Sequence, residues 1–81
     1  MLPMYYVYIL KLKDNSFYVG YSDNVRERVS EHKRGIVKTT KNLLPLSLVF
    51  YAAFLTKKKA LNFERYLKKG SGFAFRNKQL I

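Results

Sequence analysis

Apolar and polar positions along the chain mark out six secondary-structure elements. Tyr5 to Leu12 is rich in aromatic and β-branched residues, the pattern of a strand buried on both faces for much of its length. Asp14-Asn15-Ser16 is a turn signal, and Phe17-Tyr18-Val19-Gly20 reads as the returning strand of a hairpin. Ser22, Asp23 or Asn24 can cap a helix from about Asn24 to Arg34, which Gly35 ends. Residues 36–45 form an irregular loop carrying Lys38, Lys41 and two threonines. Leu46 to Leu55 is strongly apolar and reads as a central strand. Thr56 then caps a second helix running to about Lys69, Gly70-Ser71-Gly72 breaks the chain, and Phe73 to Leu80 makes a short terminal helix. The order β-β-α-β-α-α predicts an α+β fold: a small three-stranded antiparallel sheet flanked by helices.

Residues that break this patterning carry the chemical information. In the first helix Val25, Val29 and Ile36 mark the buried stripe. At about 100° per residue His32 falls in the middle of that stripe, and Arg28 lies on its edge one turn earlier. In the second helix Ala60, Phe63 and Leu67 define the stripe, with Glu64 inside it. A buried lone carboxylate is costly, so Glu64 needs a cation, a hydrogen-bond donor or a metal beside it. Violations on two helices point to a shared polar cavity. The plainer readings are a satisfied core histidine, a structural Glu64–Arg28 ion pair, an Arg28 that snorkels to solvent, and tyrosines that only fill the core.

Composition narrows the function classes. Eighty-one residues make one domain, spanning 1–81, and there is no cysteine for a disulfide or a thiolate zinc site. A single histidine cannot build a His-based metal cage, so any metal must be held by oxygen. Apolar residues at 48% exclude a disordered polycation. Sixteen Lys+Arg against five Asp+Glu leave a net charge of +11, which calls for a polyanionic partner, nucleic acid first. The longest uncharged stretch, Asn42 to Thr56, has 15 residues and contains Pro45, too short to span a bilayer. The apolar start from Met1 to Leu10 lacks the basic region and cleavage site of a signal peptide, so a cytoplasmic protein is expected. Lys57-Lys58-Lys59 fill the first turn of the second helix, where the dipole disfavours cations unless an anion binds nearby. With Arg65, Lys68, Lys69, Arg76 and Lys78 they can form a phosphate-tracking surface, the alternative being a merely solvated lysine run.

Read in order, these residues resemble the GIY-YIG nuclease superfamily. Its paired tyrosine strands appear as Tyr6-Val7-Tyr8 and, ten residues after Tyr8, Tyr18-Val19-Gly20. The helix motif is similar from Gly20 to His32, with Arg28 eight residues after the glycine and His32 four further on. Glu64 matches the metal-binding glutamate. The stretch from Leu67 through Gly70-Ser71-Gly72 to Asn77-Lys78 resembles the short standalone bacterial members, themselves similar to the N-terminal nuclease module of the excision-repair incision subunit. One position departs: the first glycine of the family's name is Tyr6 here.

The resemblance implies an endonuclease that hydrolyses phosphodiester bonds with one divalent ion, Mg²⁺ or Mn²⁺, held by Glu64. Arg28 would stabilise transition-state charge, Tyr18 would orient the water or phosphate, and either Tyr8 or His32 would serve as general base. Tyr8, Tyr18, Arg28, His32 and Glu64 are therefore expected to line one cleft. Lys57, Lys58, Lys59, Lys68, Lys69, Arg76, Asn77 and Lys78 are expected to contact nucleic acid, most simply DNA. The alternative reading is a nucleic-acid-binding module with the nuclease fold and little or no cleavage; a third is a domain that docks an acidic protein. No membrane partner is expected, and no feature fixes the oligomeric state between a monomer and a weak dimer.

Overall fold

The computed structural model describes residues 3–81; Met1 and Leu2, the head of the apolar start, lie outside them. Strands β1 (Tyr5–Lys11) and β2 (Phe17–Ser22) form an antiparallel hairpin, followed by α1 (Val25–Lys33), β3 (Ser47–Phe54), α2 (Lys57–Leu67) and α3 (Gly70–Phe75). The last helix continues into a wider π-helical turn over Arg76–Leu80. The sheet is antiparallel throughout with strand order β2-β1-β3. The expected α+β class and element order are those observed.

The sheet corrects one expectation. Leu46 to Leu55 was expected to be central, yet β3 is an edge and β1 lies in the middle. The reason is in the burial: Val7, Tyr8, Ile9 and Leu10 of β1 are all enclosed, so both of its faces are covered, while Leu48, Val49 and Tyr51 of β3 are exposed. An apolar run alone does not distinguish a strand covered twice from an edge strand with large side chains.

Alternation along β1 distributes its side chains between two half-cores. Val7 and Ile9 join Val19 under Ala60 and Leu67 of α2, with Phe54 and Phe63 packed against them. Tyr8 and Leu10 join Leu12 and Leu46 under Val29 of α1, with Tyr18 and Leu43 at the margin. Even-numbered β1 side chains thus face α1, which is how a tyrosine of the central strand comes to lie beneath Arg28 and His32.

Local chemistry sets the helix ends. Of the three cap candidates Asn24 caps α1: its side-chain oxygen accepts from the Glu27 N–H at 3.2 Å, and its amide donates back to the Glu27 carboxylate at 3.3 Å. Gly35, at φ 77°, ends the helix in the left-handed region. That turn takes Ile36 out of the helical period, so the third member of the expected stripe is 62% exposed instead of buried. Thr56 caps α2 by accepting from the Lys59 N–H at 3.2 Å. The Gly70-Ser71-Gly72 break is narrower than expected. The chain turns at Gly70, φ 63°, where α3 starts, and Gly72 lets α3 come close to the Tyr66 carbonyl of α2, with which a Cβ there would collide.

Candidate active site

Tyr8 is the centre of the site, and β1 fixes it there. Its partner across the hairpin is Gly20, and the Tyr8 ring lies in the space a side chain at Gly20 would fill. Tyr18 stands on the same face, opposite Leu10, with its ring centroid 6.3 Å from that of Tyr8 and 5.1 Å from that of His32. From above, α1 delivers His32 and, one turn earlier, Arg28.

These groups are wired together. The Tyr8 hydroxyl is hydrogen-bonded to His32 Nε2 at 2.9 Å, and His32 Nδ1 to Thr40 Oγ1 at 2.7 Å. Both His32 and Thr40 are 0% exposed. Neutral imidazole has one donor and one acceptor nitrogen, so the two bonds run in a single sense along Tyr8, His32 and Thr40. His32 is therefore a satisfied core histidine, as the plainer reading had it, and at the same time a partner of Tyr8. Being enclosed, it reaches no solvent water directly, so any part it takes in proton transfer passes through Tyr8.

Electrostatics tie the remaining two residues to this centre. Burial pushes the Tyr8 phenol up to about 12; the Arg28 guanidinium beside its hydroxyl pulls the other way, while Tyr18 and the Glu64 carboxylate push it further up. Glu64, on α2, thus lies within the field of a tyrosine held by β1 and α1. Burial, reinforced by Arg28, holds the His32 imidazole below its ordinary range, so it is neutral at pH 7.

The structural Glu64–Arg28 ion pair, one of the plainer readings, does not form. Arg28 Nη1 donates to Glu31 Oε1 at 3.1 Å, and Lys68 Nζ donates to Glu64 Oε2 at 3.1 Å. Both are same-helix pairs worth about 0.3–0.5 kcal/mol, too little to hold either residue against a phosphate or a divalent cation. The Glu64 side chain is only 18% exposed. Among the described residues no three His, Asp or Glu side chains cluster, so the donor set is one hard carboxylate. One carboxylate suits a strongly hydrated cation such as Mg²⁺, which keeps most of its own waters, and does not suit a closed structural site.

The basic residues fall into separate groups. Lys57, Lys58 and Lys59 are exposed in the first turn of α2, with Lys57 Nζ 5.9 Å from the centroid of the Tyr21 ring. Lys68, Lys69, Asn77 and Lys78 are exposed near the other end, about 16 Å away along the helix for Lys68. Arg76 departs from expectation: it is 8% exposed, its guanidinium lies 4.4 Å from the Phe73 centroid, and its Nε donates to Asn77 Oδ1 at 3.1 Å. Its environment is aromatic packing, with no open face for a phosphate.

Two contributors escaped the sequence reading. Gly20, seen only as part of a motif, makes room for the Tyr8 ring; the signal was a glycine inside an aromatic strand. Thr40 left no signal, since nothing in a polar loop marks which of two threonines turns inward.

Comparison with known proteins shows the family and the fold. The family model described as the GIY-YIG catalytic domain matches residues 4–78. A UPF0213 protein of Clostridium perfringens is 42% identical over 67 residues, covering 82% of this chain and 72% of that one. The UPF0213 protein YazA of Bacillus subtilis is 41% identical over 66 residues, covering 80% of this chain and 67% of that one. The solution NMR structure of a UPF0213 protein from Bacillus halodurans, 36% identical, superposes with a TM-score of 0.58 and covers 93% of this chain and 81% of that one. With all but a few terminal residues inside the family model, this chain belongs to the GIY-YIG catalytic-domain family.

Proposed function

We propose that this chain is a metal-dependent endonuclease that hydrolyses phosphodiester bonds in DNA, selecting its substrate by structure or weak sequence preference. The observation that carries the reading is the convergence of Tyr8, Tyr18, Arg28 and His32 on one side of the sheet. Glu64 would hold one Mg²⁺ or Mn²⁺. Such an ion, when bound, supplies Lewis-acid stabilisation of the phosphate and of the leaving 3′ oxygen.

The remaining work falls to the chain's own residues. A phenol at about 12 is ionised in only about one molecule in thirty thousand at pH 7.5, so a free phenolate is a poor resting base. The bond to His32 offers another route: Tyr8 takes the proton of the attacking water as its own proton passes to His32 Nε2. Thr40 holds His32 in the ring orientation this needs. Arg28, freed from Glu31, can pair with a non-bridging phosphate oxygen beside the Tyr8 hydroxyl. Tyr18 would orient the water or the phosphate.

Lysines of α2 with Lys69 and Lys78 would supply backbone contacts. No helix among the described residues is long and apolar enough to cross a membrane. A cytoplasmic role in processing or repair of DNA is the setting this reading implies. A second reading, a binding module that does not cut, is favoured by the Lys68 ammonium on Glu64, which can stand in the place of a metal.

Nicking of labelled single-stranded, duplex and branched DNA, with Mg²⁺ or EDTA, separates the two. The nuclease reading predicts metal-dependent cutting that falls at least a hundredfold in Tyr8→Phe and Arg28→Ala. Binding without cutting on every substrate, with affinity unchanged in both variants, would establish the binding module instead.

A further inference from the structure

Besides Tyr18, the sheet face that carries Tyr8 carries two further tyrosines. Tyr6 precedes it by two residues on β1, and Tyr51 stands directly across from it on β3, so alternation puts all three on one side. Tyr8 leans over Gly20 toward β2. Tyr6 and Tyr51 meet each other instead, with ring centroids 6.3 Å apart and planes tilted by 57°. Rings so far apart and so inclined cover little of each other's faces, and Tyr51 is 56% exposed.

A groove of about 800 Å³ opens between these rings and α1, and its lining is distinct from the Tyr8 site. At about 100° per residue, Arg28 and His32 project from one flank of the Val25–Val29 ridge, and Arg26 and Lys33 from the other. With Arg34, at the helix end, they give the groove three cations, against the single carboxylate of Asp23. None of the three pairs with a described carboxylate. Unneutralised cations beside exposed aromatic faces are the combination that binds single-stranded nucleic acid, where phosphates meet the charges and bases stack on the rings. A paired base hides its faces in the duplex stack, so the rings can take only an unstacked one.

We propose that this groove binds an unpaired nucleotide, its base stacked on Tyr51 and Tyr6 and its flanking phosphates on Arg26, Lys33 and Arg34. The proposal rests on the nuclease reading for the source of the strand, and gives that nuclease a preference for single-stranded or locally opened substrate. The same helix then serves both sites, one on each flank.

Fluorescence anisotropy in EDTA, where nothing is cut, tests it with a labelled mixed-sequence 12-mer as single strand and as duplex. Tyr51→Ala should weaken single-strand binding roughly tenfold and change duplex binding less than twofold, while Tyr51→Phe retains both. The chain has no tryptophan, so Tyr51→Trp is a single reporter whose emission the single strand should quench. Equal losses on both substrates, no loss on either, or no quenching would overturn the inference. So would a Tyr51→Ala change in sedimentation with strand binding intact, which would make this face a self-association surface. If Tyr51 proves neutral while wild-type protein still nicks DNA, the inference fails and the nuclease stands. If the strand stacks but no substrate is cut, the inference stands and the nuclease reading fails.

Discussion

Gly20→Ala is the smallest change that should damage the site without touching any of its functional groups. The methyl group would occupy the position of the outer edge of the Tyr8 ring, at its Cε1, Cζ and hydroxyl oxygen. Neither partner can yield cheaply, because Gly20 is fixed by the β1–β2 ladder and the ring is 1% exposed. Overpacking of this kind costs about 1–3 kcal/mol. In a domain of this size each kcal/mol lowers the melting temperature by about 4–8 °C, so a drop on the order of 10 °C is expected by circular dichroism. Displacing the ring also opens the 2.9 Å bond to His32, and nicking should fall far more than DNA binding does. A double-mutant cycle isolates the contact. Tyr8→Leu removes the three clashing atoms, so adding Gly20→Ala to it should cost less than about 0.5 kcal/mol. Tyr8→Phe keeps the ring, and there the cost should persist. Equal cost of Gly20→Ala in wild-type and Tyr8→Leu backgrounds would refute the reasoning.

Further predictions concern the groups around this centre. Thr40→Val leaves His32 Nδ1 buried without its partner and should cost about 1–3 kcal/mol in urea unfolding, with no change in salt dependence of DNA binding. His32 is held below its ordinary 6.5, so its contribution is present above pH 6.5 and is lost as pH falls through the lower folded value. The urea midpoint should decline below pH 6.5, and His32→Gln should flatten that decline. Tyr8 is raised to about 12, so its contribution is present below pH 10 and is lost as pH rises through 12; Tyr8→Phe should retain more stability at pH 11. Arg76→Ala should lower the melting temperature and leave the salt slope of DNA binding unchanged, whereas Lys58→Gln should leave stability unchanged and reduce the slope by about 0.9 if it meets a phosphate.

The fold and the site were legible in the sequence to different depths, for physical reasons. Element order followed from periodicity and turn residues, and Arg28, His32 and Glu64 stood out because helical spacing put polar groups on apolar stripes. What periodicity does not encode is who covers whom. Leu46 to Leu55 and Tyr5 to Leu12 are both apolar runs, and only tertiary packing makes the second central and the first an edge. Ile36 fell off its stripe because one left-handed glycine reset the period. Arg76 looked like surface charge because a sequence does not show two phenylalanines folding over a guanidinium. Which cation accompanies Glu64 was not legible for a related reason: helical spacing does not decide between a lysine one turn along its own helix and an arginine on another helix, and the structure has Lys68 there.

The central claim is that a carboxylate on α2 completes a hydrolytic site built by β1, β2 and α1. Nicking of labelled DNA in Mg²⁺ by wild-type protein and by Glu64→Ala, both shown folded by circular dichroism, tests it most directly. The account predicts cutting by the wild type, its abolition in EDTA, and at least a hundredfold less cutting by Glu64→Ala. Equal cutting by the two proteins in Mg²⁺ would contradict it.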